Sequence, residues 1–148
     1  MNDCLKWYQR VVWFGIVANV SFAVTALWAP DKLQRLFRLK PLTATVWLRN
    51  VGMLLGLVSM FNAGSAVAPR RYPLYSWFVP IARLIAGLFF FRVAFFNPHN
   101  SSDRPKSFLP LFVFDTGLGM ICSILLHLGL PKDGRLIPSL RRAISRGN

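Results

Sequence analysis

The chain has 148 residues, of which 54% are hydrophobic and 14% aromatic, and eighteen Lys and Arg against five acids give a formal charge of +13. In a water-soluble chain such a charge would point to nucleic acid. Here the basic residues sit between or at the ends of long apolar runs, where anionic lipid headgroups are the natural partners, so the nucleic-acid reading is set aside.

Four runs, at about 11–29, 44–66, 75–96 and 108–130, each approach or exceed the ~20 residues needed to cross a ~30 Å hydrocarbon core as a helix. Soluble helical proteins of this size keep a polar face on each helix. The expected class is therefore an all-α integral membrane protein. It is a four-transmembrane-helix bundle forming one membrane domain over residues 1–148, with no convincing internal repeat.

Residues 1–10 read as a short interfacial lead with Trp7 and Tyr8 at headgroup depth. Lys6 and Arg10 ahead of an apolar stretch resemble a signal peptide, but no clean small-x-small cleavage site follows, which favours a retained span. The first span carries Asn19, Ser21 and Thr25, bracketed by Trp13 and Trp28. Between spans one and two, residues 31–40 place Leu33, Leu36 and Phe37 at i, i+3 and i+4 with basic residues on other faces. That is the pattern of a short amphipathic helix lying in the membrane surface.

The second span has Arg49, Gly52, Gly56, Ser59 and Ala63 at steps of three and four, which places them on one helical face. Gly52 and Gly56 form a G-x-x-x-G pair, which lets another helix come close. A guanidinium on that seam needs a partner, because a lone charge in hydrocarbon costs at least ~2.5–3.5 kcal/mol. The only acid within another apolar run is Asp115. Helical rise places both near one membrane surface, with Arg92 at similar depth, so Arg49 and Asp115 are the expected ion pair, Arg92 is the alternative partner, and the pair is read as a structural clasp rather than a proton or ion relay.

The third span contains Pro80, then Arg83, Ala86, Gly87, Phe90 and Ala94 along one stripe; Arg92 points elsewhere and snorkels to the interface. Arg83 falls at about the depth of Asn19, Ser59 and Ser123, with no acid expected there. This layer has two readings. It is either a packing layer or a site for a quinone carbonyl or lipid headgroup gripped by Arg83. Phe89, Phe91, Phe95 and Phe96 crowd the far end as bulk facing lipid or a partner subunit. Residues 97–107 are polar and include a formal glycosylation triplet at Asn100.

The fourth span holds Asp115, Gly119, Cys122 and Leu126 on one face, with Gly87 and Gly119 as further packing glycines. Residues 131–148 form a basic tail. Cys4 and Cys122 belong to opposite parts of the topology, and no C-x-x-C exists, so neither a disulfide nor a thiol-redox centre is expected. His127 is the only histidine within a span, which argues against bis-histidine haem, and it lies off the Asp115–Cys122 face, which argues against a metal site. No catalytic constellation is visible.

Topology follows from the basic residues outside the spans. Nine (Lys6, Arg10, Arg70, Arg71, Lys132, Arg135, Arg141, Arg142 and Arg146) share a side with both termini. Six (Lys32, Arg35, Arg38, Lys40, Arg104 and Lys106) lie on the other. Both termini are expected to be cytoplasmic.

Ala29, Pro30, Leu33, Leu36 and Phe37, then Trp47-Leu48-Arg49 opening a glycine-rich span, then Arg71-Tyr72, Ala82-Arg83 and Gly87, occur in an order that resembles DoxX-like bacterial membrane proteins. The resemblance implies a four-helix fold in the cytoplasmic membrane, in a family that includes subunits of quinone-linked oxidoreductases. The leading expectation is a non-catalytic subunit or scaffold of a larger membrane complex, redox or energy-transducing, with lipid headgroups and other membrane subunits as partners. The alternatives are a quinone- or lipid-binding redox component using Arg83, and a small oligomeric transporter.

Overall fold

The computed structural model describes residues 3–36, 46–96 and 108–130. These are helical almost throughout: α1 (Asp3–Trp28), α2 (Pro30–Leu36), α3 (Val46–Val67), α4 (Pro73–Phe96) and α5 (Leu109–Gly129). Four of them, all but α2, are long and apolar enough to cross a membrane. Prolines open three helices: Pro30 and Pro73 stand at the first residues of α2 and α4, and Pro110 lies in the first turn of α5. The missing N–H costs nothing there, and the fixed φ suits the helix.

Helix α1 begins at Asp3, eight residues before the expected start of the first span. Lys6 and Arg10 lower the local hydropathy, but they lie on the outer face. On the inner face Leu5, Tyr8, Val12 and Ile16 continue a helical stripe, and all four are buried. Residues 3–10, expected as an interfacial lead, are thus the first two turns of α1. The short helix α2 lies within the helix expected at residues 31–40, of which 37–40 lie outside the described residues. Leu33 is buried at 3% exposure and docks with Ala26, Leu48 and Phe22 in a small core of its own, so α2 packs back onto α1 and α3, while Leu36 is 74% exposed.

The helices alternate in direction. Gly129 at the end of α5 abuts Leu5 at the start of α1, and the Gln9 side chain donates to the Val67 carbonyl at the end of α3. Helix α1 is central, packed against α3 on one side and α5 on the other, while α4 packs on α5. Consecutive helices α3 and α4 share little contact; near their turn, Tyr75 Oη donates to the Phe61 carbonyl at 2.5 Å. The main core gathers Leu5, Tyr8, Val12 and Ile16 of α1, Ala66 of α3, Trp77 and Val79 of α4, and Cys122, Leu126 and Leu130 from α5 and its end.

The outer surface is apolar. Phe14, Val17, Met60, Phe61, Phe78, Ile85, Leu88 and Leu128 are each more than half exposed. Several polar groups turn inward: Ser59, Asn62, Ser65, Ser76 and Arg83 are buried, while Arg49 and Arg92, near helix ends, are exposed. That inversion is unfavourable in water, where large contiguous apolar patches are rare on monomers.

Candidate functional site: a polar seam across four helices

Two polar clusters lie along the inner faces of α1, α3, α4 and α5. The lower one begins with Pro80. Proline has no N–H, so the carbonyl four residues earlier, on Ser76, loses its helical partner. Tyr8 of α1 supplies the replacement: its hydroxyl donates to the Ser76 carbonyl at 3.1 Å, with the Ser65 Oγ of α3 a longer 3.4 Å neighbour. Ser65 in turn donates to the Asn62 carbonyl at 2.8 Å, and the Ser76 hydroxyl reaches the Pro69 carbonyl at 3.4 Å. Tyr8, Ser65 and Ser76 are fully buried. One proline in α4 is therefore matched by one tyrosine in α1, and the bond ties the two helices together.

The upper cluster is an ion pair. Arg83 Nη1 donates to Asp115 Oδ1 at 2.8 Å, with the arginine side chain 7% and the carboxylate 18% exposed. The glycines of the seam position it. Gly87 fits against Thr116, and Gly119 lies against Leu84 and the Pro80 carbonyl, which fixes the register of α4 on α5. In that register Arg83 lies about five residues, or ~7.5 Å of rise, from the level of Asp115, and its side chain spans the offset. The guanidinium then needs space on α1. Gly15 provides it: a Cβ there would overlap the Arg83 guanidinium, with Cζ only 3.0 Å away. Any other residue at position 15 would displace the charge.

This arrangement corrects the expected pairing. Asp115 meets Arg83, not Arg49. Arg49 is exposed, because α3 packs on α1 and not substantially on α5, and because Leu48, one residue earlier, takes the inward position. Matching depths by the rise of the backbone alone separated Arg83 from Asp115, since it ignored the reach of an extended arginine side chain.

The proposed layer of Arg83, Asn19, Ser59 and Ser123 does not form one cluster. Ser59 donates to the Leu55 carbonyl at 2.8 Å and Ser123 to the Gly119 carbonyl at 2.9 Å, each within its own helix, and Asn19 is half-buried. Gly52 packs on Ala23 and Ala26 of α1, but a Cβ at Gly56 would meet nothing within 4 Å, so only the first glycine of the G-x-x-x-G pair is at a helix contact. Phe89, Phe95 and Phe96 point outward. Phe91 is shared: its ring lies 4.8 Å from Phe95 and 5.3 Å from Phe112 of α5. Cys122 is buried in the main core beside Leu126, whereas His127 is exposed.

Tyr8 and Gly15 were missed as members of the seam. For Tyr8 a signal existed, since Pro80 inside an apolar span announces a free carbonyl at Ser76 that some donor must meet. Nothing local marks Gly15. Trp77 is 6% exposed, and its Nε1–H has no acceptor among the described residues.

Chemically, the seam is closed. A buried guanidinium and carboxylate neutralise each other, and removal of either would strand the other in a medium that solvates charge poorly. Comparison of the chain with family models, curated proteins and solved structures gives no match.

Proposed function

We propose that this is a multi-pass membrane protein with both termini cytoplasmic, acting as a non-catalytic subunit or scaffold of a larger membrane assembly. The DoxX-like resemblance would fit a bacterial cytoplasmic membrane for that assembly, with redox or energy-transducing company. The observation that carries the reading is the division of the surface: the inner polar groups are largely engaged within the bundle, and the exterior of the long helices is mostly apolar, with Arg49 and Arg92 exposed near helix ends. Arg83 is matched by Asp115, Tyr8 by Ser76, and the serines by nearby carbonyls. Such a molecule offers apolar helix faces for contact with other membrane subunits, among them the outward phenylalanines at the end of α4, Phe89, Phe95 and Phe96.

The test is purification of the full-length protein from its native membrane in mild detergent, followed by native mass spectrometry. A stoichiometric membrane-protein partner is expected, and it should be lost when Phe89, Phe95 and Phe96 are replaced by Ala while the protein stays in the membrane. A solitary, monodisperse protein would overturn the scaffold reading.

The quinone- or lipid-binding reading is weakened at Arg83, whose charge is already met by Asp115. One observation still favours it, transferred to another residue. The buried Trp77 Nε1–H is a donor that a ligand carbonyl would satisfy. Quinone that copurifies and falls away in Trp77→Phe would support this second reading; unchanged quinone content would remove it.

A further inference from the structure

The end of the bundle where α1 begins and α3 turns into α4 carries a group of cations that neither polar cluster uses. Arg10, Arg70 and Arg71 are exposed there. Bonds between the helices set the start of α1 beside the α3–α4 turn: Gln9 donates to the Val67 carbonyl at 3.2 Å, and Tyr8 to that of Ser76 at 3.1 Å. The turn itself is closed by backbone bonds from Arg71 and Tyr72 to the Ala68 carbonyl, at 3.1 and 3.3 Å. Two of the guanidiniums rest on aromatic rings, Arg10 5.0 Å above Trp7 and Arg71 5.4 Å above Tyr72. Both rings are themselves exposed. Among the described residues the acid at this end is Asp3, and it is taken by Lys6 at 3.2 Å.

We infer that Arg10, Arg70 and Arg71, steadied by Trp7 and Tyr72, form a binding surface for the phosphodiester headgroup of an anionic phospholipid. The inference rests on the membrane reading above. Exposed Trp and Tyr rings settle at the depth of lipid headgroups, so the arginines stacked on them are held at the depth of the phosphates. Stacking on a ring leaves the N–H edge of a guanidinium free, and that planar edge matches two phosphate oxygens at once. A bilayer supplies such phosphates at high local density. The charge complementarity therefore favours a lipid over a dissolved anion.

The test uses the full-length protein in mild detergent, titrated with phosphatidylglycerol or phosphatidylcholine and read by native mass spectrometry. Phosphatidylglycerol should be retained in preference. Each basic residue near an anionic surface is worth about fivefold in affinity, so Arg70→Gln with Arg71→Gln should weaken phosphatidylglycerol binding by about 25-fold. Lys32→Gln with Arg35→Gln, exposed at the opposite end, should leave it nearly unchanged. Equal retention of the two lipids would overturn the surface, as would equal losses in the two double variants or displacement of the lipid by millimolar inorganic phosphate. If alkaline carbonate releases the protein from membranes, the membrane reading falls and this inference falls with it. A protein that stays in the membrane but shows no lipid preference refutes the headgroup surface alone.

Discussion

Replacing Tyr8 with Phe removes one oxygen and changes almost nothing else in the shape of a fully buried side chain. The loss falls on the Ser76 carbonyl, which Pro80 has already deprived of its helical N–H and which Tyr8 meets at 3.1 Å. Leaving a buried acceptor without a donor costs about 1–3 kcal/mol. The Ser65 hydroxyl offers no rescue, because its proton is committed to the Asn62 carbonyl at 2.8 Å. Tyr8→Phe is therefore expected to destabilise the bundle by ~1–3 kcal/mol. The decisive comparison is the same substitution in a Pro80→Ala background, where residue 80 regains an N–H for Ser76. There the effect of Tyr8→Phe should shrink to about 0.5 kcal/mol or less, whatever Pro80→Ala does by itself, as a coupled pair requires. Reversible unfolding in mixed micelles with increasing denaturing detergent measures all four proteins of the cycle. Equal losses from Tyr8→Phe in the two backgrounds would refute the pairing of this tyrosine with the proline-freed carbonyl.

Three further outcomes follow from the seam. Asp115→Asn should destabilise by ~3–5 kcal/mol, since it leaves the Arg83 charge buried and unmatched, whereas Arg83→Met combined with Asp115→Leu should recover much of that loss in the same unfolding assay. Gly15→Ala should destabilise by displacing the guanidinium, while Gly56→Ala, with open space around its Cβ position, should be neutral or stabilising by up to about 1 kcal/mol through helix propensity. In folded protein a membrane-permeant maleimide should label partly exposed Cys4 well before buried Cys122; equal labelling rates would contradict the packing of α5 on α1 and α4.

The helical class and the count of long apolar helices were legible from the sequence because both depend on local composition, and hydropathy averaged over ~20 residues is insensitive to which neighbour each face meets. The start of α1 was less legible for the same reason. Lys6 and Arg10 depress the average, although the inward positions Leu5, Tyr8 and Val12 continue the stripe. That Asp115, an acid well inside an apolar run, must find a basic partner was also readable, since an isolated charge in apolar surroundings is too costly.

Which base it finds was decided by tertiary structure. Arg49 and Arg83 are equivalent as chemistry, and only the packing order, with α3 against α1 and α4 against α5, gives Asp115 to Arg83 and turns Arg49 outward. The same holds for Gly15, an unremarkable glycine until a guanidinium from another helix is laid across it. Sequence states what each segment must bury; partner, register and side-chain reach belong to contacts between residues far apart in the chain, and no local pattern encodes them.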